Sequence, residues 1–362
     1  MTWDKRSDMI VHDSDPLNAE TPRAALGAHE LTGADTFYVR NHGPVPQLRP
    51  DAWRLRIGGL VTRPLELSLA DLQGGFARHD VVAVLQCAGN RRAGLMKVRD
   101  IPGEAPWGPG ATGNACWTGV RMADLLSAAG IAAGAEHVAF LAPDISGPPA
   151  PPQPFGASIP LAKAMRAEVL LAWAMNRQPL PPVHGAPVRV IVPGYIGARS
   201  VKWVEQITVQ AEPSDNYFQA TAYRLLPADA DPAAGPGAGI SLGPAAVNAD
   251  ILAPDEYGYV PAGPVTVSGY ALTGDDRRVI RVDVSTDGGR SWRQASLDTE
   301  LGPWSWRRWR ATLDLAPGPV EVTARAWDSA AGVQPESEAQ LWNPKGYANN
   351  AWARIAFTVV PG

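Results

Sequence analysis

At 362 residues the chain exceeds a typical single core and is expected to divide into two domains of ordinary size. With 19% charged residues and a formal net charge of -4, it has no electrostatic footprint for nucleic acid or an anionic membrane face, so anion chemistry must come from locally placed arginines. High glycine and proline, 36 and 35, together with 13 tryptophans favour a turn-rich β protein, and two cysteines, Cys87 and Cys116, exclude a disulfide framework and any multi-thiolate zinc or iron–sulfur site within one chain.

The opening residues are polar and carry neither a signal-peptide apolar segment nor a twin-arginine pair, and no run reaches the length of a membrane span. A cytoplasmic location is expected. Residues 1–50 are broken by Pro16, Pro22, Pro44 and Pro46 and read as an extended arm with turns, although it contains the compact cluster Arg40-Asn41-His42. From residue 53 to 209 short apolar strands alternate with short helical patterns. Strands are expected at 81–85, 137–141, 169–173, 188–192 and 201–209. Ser68 opens a capped helical turn, 121–129 reads as an amphipathic helix closed by Gly130, and Ser158 is a candidate cap for another helix, with Pro160 in its first turn. This is a mixed α and β domain whose sheet direction the pattern leaves open.

Residues 227–254 are rich in Ala, Pro, Gly and Asp and read as a linker. Beyond them the period is two: Val265-Thr266-Val267, Val279 through Val284, then Asp287-Gly288-Gly289 as a hairpin-type turn, with further strands at 304–315, 320–327 and 353–360. Short alternating strands joined by turn residues indicate an immunoglobulin-like β-sandwich. The expected architecture is thus α+β: a catalytic domain over 1–226, a linker over 227–254 and a sandwich over 255–362.

Four clusters ask for a common explanation. The stretch Leu85-Gln86-Cys87-Ala88-Gly89-Asn90-Arg91-Arg92 carries a cysteine from an apolar strand to a glycine-bearing turn beside two arginines. Such a cysteine is compatible with a core residue, a nucleophile or a metal ligand, and neighbouring cations favour its ionised form. Arg40-Asn41-His42, the run from His184 to Arg189 and the run from Gly194 to Trp203 add cationic and imidazole donors next to glycine or proline, where backbone can approach a ligand closely. Together they describe a site for an anion-rich ligand, without the spacing of a Walker loop or a dinucleotide fingerprint.

These residues resemble the sulfite oxidase family of molybdenum enzymes. The resemblance is carried in order by Phe37 through Pro46, Leu85 through Arg92, Gly156 through Leu161, Leu180 through Gly185, Val192 through Trp203, Ile280 through Ser285 and Trp306 through Trp309, and covers essentially residues 15–360. It implies a molybdenum ion held by a pyranopterin dithiolene, molybdopterin, with Cys87 as the single protein thiolate, a soft donor suited to that centre. Tyr38, Arg40, Asn41, His42 and Asp144 fall where the family holds the pterin and its phosphate. So do His184, Arg189, Ser200, Val201 and Lys202. Arg40 and Arg92 match arginines that face the substrate, with Arg307 as a third from the sandwich. Tyr223 matches a tyrosine that moves protons near the metal, and Trp107 lines the pocket. Where some relatives carry a pocket lysine, this chain has Ile101-Pro102-Gly103.

The implied activity is oxidation of sulfite to sulfate, with electrons leaving to oxygen or a separate acceptor such as a cytochrome. There is no C-x-x-C-H haem site, and the haem-free plant and bacterial type is the better match. The sandwich matches the family's dimerisation domain and implies a homodimer. Reduction of nitrate or of an S- or N-oxide on the same cofactor is the nearest alternative, and a non-catalytic anion-binding or assembly protein is the alternative of a different class.

Overall fold

The computed structural model describes residues 3–148 and 150–362. The first 50 residues are more structured than an arm: strands β1 (Ile10–Ser14) and β2 (Leu17–Glu20) form an antiparallel hairpin, followed by helix α1 (Arg23–Ala28). Ala19 and Val39 exchange backbone hydrogen bonds at 3.0 and 2.8 Å, and Phe37 and Val39 are each 1% exposed. The prolines that suggested an open arm lie between these pieces, and burial of Phe37 and Val39 fixes the segment against the domain at roughly 1.5–3 kcal/mol per side chain.

The strands and helices that follow are β3 (Leu55–Gly59), β4 (Leu65–Leu67), α2 (Leu69–Gly75), β5 (His79–Gln86), α3 (Arg92–Val98), β6 (Thr112–Arg121), α4 (Met122–Ala129), β7 (His137–Ile145), β8 (Pro154–Pro160), α5 (Leu161–Ala164), β9 (Leu170–Met175), β10 (Gln178–Pro179), β11 (Arg189–Ile191) and β12 (Gln206–Gln210). They form two sheets, ordered β4-β3-β12-β7-β8 and β10-β9-β6-β5, with β11 also pairing β9. Pairing is antiparallel throughout these sheets except between β12 and β3, which answers the question of direction that the sequence left open. Ser68 and Asp71 make the reciprocal capping box of α2. Helix α4 turns Met122, Leu125, Leu126 and Ala129 fully into the core and ends at Gly130 with φ +71°.

Two local expectations are corrected. Ser158 lies inside β8 and caps no helix; its hydroxyl accepts from the Ser214 N–H at 2.9 Å, and the short α5 starts only after Pro160. The strand expected over 201–209 is confined to β12, because Trp203 takes a left-handed φ of +53° that breaks the extended run.

The linker also holds more structure than its composition suggested. Strand β13 (Arg224–Leu225), just before the expected linker, pairs with β14 (Ile240–Ser241) inside it, and β15 (Asn248–Ala253) is already the edge strand of the sandwich. The remaining strands are β16 (Tyr259–Pro261), β17 (Gly263–Leu272), β18 (Val279–Ser285), β19 (Arg293–Gln294), β20 (Ser296–Leu297), β21 (Arg307–Leu315), β22 (Gly318–Asp328) and β23 (Ala353–Val360). Sheets β15-β17-β21-β20 and β16-β23-β22-β18-β19 close on a shared core that includes Val267, Val282, Trp309, Val322 and Phe357. The alternating burial of β21 and β23 is the two-residue period of the sequence made visible.

The domains dock around the turn that follows β5. Arg91, in a left-handed conformation with φ +65°, donates to the Asn248 side chain at 3.1 Å and to the carbonyls of Ala351 and Trp352 at 2.7 and 3.0 Å. The Ala348 N–H bonds the Ala88 carbonyl and the Val84 N–H bonds the Trp304 carbonyl, each at 2.9 Å. Arg91 therefore anchors the sandwich, which Arg92 also reaches through the carbonyls of Lys345 and Gly346, at 3.2 Å each.

Candidate active site

Strand β5 ends at Gln86 and delivers Cys87 to a tight turn before α3. Cys87 is 7% exposed; its N–H bonds the Ala111 carbonyl at 2.9 Å and its Sγ lies 3.4 Å from the Gly89 N–H. Burial pushes its thiol up, against the opposing pull of the Arg92 and Arg40 guanidiniums. The nearby cations alone therefore do not produce a free thiolate, and a bound cation would be needed to hold one. Cys116 sits away from this site on β6, half-buried.

Behind Cys87 lies a cavity whose wall includes Tyr38, Arg40, Asn41, His42, Asp144, His184, Arg189, Ser200 and Lys202. The structure thus brings together residues from five separate stretches of chain. Asn41 donates from its backbone to Asn18 at 2.7 Å and from its side chain to the Leu17 carbonyl at 3.0 Å, so the N-terminal hairpin holds it in place. Lys202 reaches the Asn41 side-chain oxygen and the Val183 carbonyl. Arg189 donates to the carbonyls of His184 and Ser200, both at 3.0 Å. Val201 is the exception among the expected cofactor residues: it is 1% exposed in the core beneath the wall, and its carbonyl accepts from Val190 N–H at 2.8 Å.

Positive charge is crowded here. Burial lowers Lys202 well below the ordinary lysine range, with Arg189 adding to the effect, and lowers Arg189 to about 10. Lys5, which sequence reasoning missed, reaches in from the N-terminus with its Nζ 2.6 Å from His184 Nε2 and bonded to the carbonyls of Ala34 and Phe37. Asp144 supplies a carboxyl in return; burial raises it to about 6, and its Oδ1 has no partner. A buried cluster of this kind is costly unless a multiply charged anion enters it.

A pH test follows. Burial lowers Lys5 from an ordinary value of 10.5 to about 7, so the unfolded chain binds this proton more tightly than the folded one. The resulting penalty is fully present below about pH 7 and fades as pH rises toward 10.5, so its contribution makes cofactor-free protein more stable with rising pH across that window. Lys5→Met is expected to flatten this rise between pH 7 and 10. Denaturant midpoints measured across the range check it, and an unchanged slope would contradict it.

At Arg40, Asn41, His42 and Tyr223 the cavity meets a wider cleft whose wall also includes Arg92, Trp107, Lys345 and Tyr347. Arg92 is packed where a Cβ on Gly89 or Gly346 would come within 2.6 Å of its side chain, so both glycines leave the space that the guanidinium fills. The Tyr223 hydroxyl is 2.8 Å from His42 Nε2, and Tyr223 stacks on Tyr347 with ring centroids 5.5 Å apart. Burial first, then Arg40 and Lys202, hold His42 well below its usual value, so its imidazole is neutral.

Arg307 is not part of this cleft. It lies on β21 and donates to the carbonyls of Asp298 and Val279 at 3.1 and 3.0 Å, within the sandwich. The sandwich instead contributes Lys345, carried by Asn343-Pro344-Lys345-Gly346-Tyr347; a turn-forming Pro and Gly around a cation and an aromatic was the signal that could have found it.

The residues fit an anionic metal cofactor. A sulfur donor borders a cavity lined by three cations and one carboxyl, and the unpartnered Asp144 Oδ1 and Arg189 Nε remain available to a polar ligand. A molybdopterin-binding oxidoreductase domain matches residues 42–218, and a molybdenum-cofactor oxidoreductase dimerisation domain matches residues 245–360. Fold and site define a molybdenum-dependent oxidoreductase. The chain is 40% identical to the sulfite oxidase of Gallus gallus over 95% of its own length and 76% of that protein, and 38% identical to the sulfite oxidase of Arabidopsis thaliana over 97% and 94%. The crystal structure of the sulfane dehydrogenase SoxCD from Paracoccus pantotrophus superposes with a TM-score of 0.82 at 25% identity, covering 99% of this chain and 90% of that one. This chain belongs to the sulfite oxidase family of molybdenum-cofactor enzymes.

Proposed function

We propose that this protein oxidises sulfite to sulfate and passes the two electrons to an external acceptor, oxygen or a cytochrome. The observation that carries the reading is the position of Cys87 in the wall of a cation-rich inner cavity that meets, at Arg40, a cleft also lined by Arg92. When bound, the molybdenum cofactor supplies oxygen-atom transfer and two-electron redox chemistry. Cys87 would ligate the metal; Tyr38, Asn41, His42, Asp144, His184, Arg189, Ser200 and Lys202 would hold the pterin and its phosphate.

The protein's own part is to bind, orient and move protons. Arg40 and Arg92 present charge-assisted donors to an oxyanion in a partly desolvated cleft, each worth about 1.5–3 kcal/mol net. Lys345 adds charge at the mouth, where it attracts the anion. Tyr223 offers its hydroxyl to the reacting oxygens, and the neutral His42 imidazole beside it can accept and return that proton. Trp107, 1% exposed, closes the cleft wall and limits water.

The sandwich would pair two copies into a homodimer, as the description of its matching domain suggests. Among the described residues no helix is long and apolar enough to cross a membrane. Steady-state assays decide between substrates: sulfite-dependent reduction of oxygen, ferricyanide or cytochrome c is expected, and nitrate reduction without sulfite oxidation would overturn the reading.

A further inference from the structure

A carboxylate stands in the wall of the cleft that should receive an anion. Glu104 Oε2 lies 3.1 Å from Arg92 Nη1, with the Arg92 side chain 3% exposed and that of Glu104 26% exposed. Arg92 does not need this partner to stay in place. Its Nη1 donates to the Ala105 carbonyl at 3.0 Å, its Nε lies 3.2 Å from the carbonyls of Lys345 and Gly346, and its guanidinium sits 5.2 Å from the centre of the Tyr347 ring. Neutral acceptors and an aromatic face already fix the side chain, so the carboxylate changes the charge of the site rather than its shape.

The loop that carries Glu104 is built to keep it there. Pro102 and Pro106 flank it, and Gly103 takes a left-handed φ of +79° that turns the next side chain toward Arg92. From this position the carboxylate also contributes to holding the Tyr347 and Tyr223 protons in place. An oxyanion that docks on Arg92 must displace Glu104 from Arg92 Nη1 or lie against it. The repulsion doubles when the incoming anion carries two charges instead of one.

We infer that Glu104 is an internal competitor for Arg92 that sets the charge selectivity of the cleft, admitting singly charged oxyanions and weakening the hold on doubly charged ones. Near neutral pH sulfite is divided between its monoanion and its dianion whereas sulfate is fully dianionic, so the same carboxylate favours entry of the monoanion and speeds product departure. The inference rests on the proposed sulfite chemistry only for the identity of that substrate and product.

The test is equilibrium titration of the cofactor-loaded protein with sulfate and with nitrate at low ionic strength, in the wild type, Glu104→Gln and Glu104→Asp. Sulfate affinity is expected to rise on the order of tenfold in E104Q and nitrate affinity by less. E104D keeps the charge and is expected to bind sulfate as weakly as the wild type, and added salt should shrink the difference between wild type and E104Q. Unchanged or weaker sulfate binding in E104Q, or equal tightening for both anions, would overturn the inference. Because titration needs no turnover, a protein that fails to oxidise sulfite would refute the proposed reaction while this comparison still decides the role of Glu104.

Discussion

Replacing Cys87 by serine is expected to abolish turnover, by about 10³-fold or more, while the protein stays folded. Cys87 is buried beside Ala88 and Ala111, and serine occupies nearly the same volume, so the turn between β5 and α3 and its 2.9 Å backbone bond to Ala111 should survive. What changes is the donor: a hard hydroxyl replaces a soft sulfur at the position proposed to ligate the metal. A loss of about 10³-fold corresponds to roughly 4 kcal/mol of transition-state stabilisation. Kinetics with sulfite, alongside circular dichroism and molybdenum content, separate loss of chemistry from loss of fold. Near-normal sulfite oxidation by the serine variant would remove Cys87 from the site.

The second large effect is expected at Arg40. Its guanidinium bonds the side chain of Asn18 and the carbonyl of Asn41, and it borders both the inner cavity and the outer cleft. Arg40→Met keeps the apolar stem and removes the donors. The expected cost is on the order of 10²-fold in kcat/KM for sulfite, about 2.7 kcal/mol, carried mainly by a rise in KM. The loss should not be rescued by lysine, whose single ammonium cannot reproduce a planar fork that spans two directions. A variant whose kcat/KM stays within twofold of the wild type would contradict this role.

The pieces of the site that sequence reasoning found share a property: each sits on a short, punctuated motif. Cys87 follows an apolar strand and precedes a glycine turn, and His184, Arg189 and Lys202 lie on or directly after glycine- and proline-bearing segments, so their chemistry is written in a few adjacent residues. The two-residue period of β21 and β23 likewise announced the sandwich, because the buried positions alternate along each strand. The residues that were missed reach the site across long separations. Lys5 meets His184 at a separation of 179 residues, and Lys345 and Tyr347 arrive from the other domain. The proline and glycine around Lys345 mark a turn, but no local pattern encodes where such side chains meet.

The errors have equally local causes. Arg307 stands in a motif that marks the family, yet the pleat of β21 directs its side chain to the carbonyls of Asp298 and Val279 within the sandwich. The linker's Ala, Pro and Gly content hid β15, whose burial comes from pairing with β17 rather than from apolar alternation of its own. Arg91 and Arg92 are adjacent in sequence and different in duty: Arg91 is spent on the sandwich carbonyls of Ala351 and Trp352, whereas Arg92, also held by the carbonyls of Lys345 and Gly346, lines the cleft.

The most direct test of the central claim is molybdenum content measured together with sulfite-dependent ferricyanide reduction, in protein produced by a host that makes the cofactor. The expected result is about one molybdenum per chain, with turnover that requires sulfite and disappears in Cys87→Ser. Protein that carries no molybdenum under these conditions, or that is fully loaded and inert toward sulfite, would contradict it.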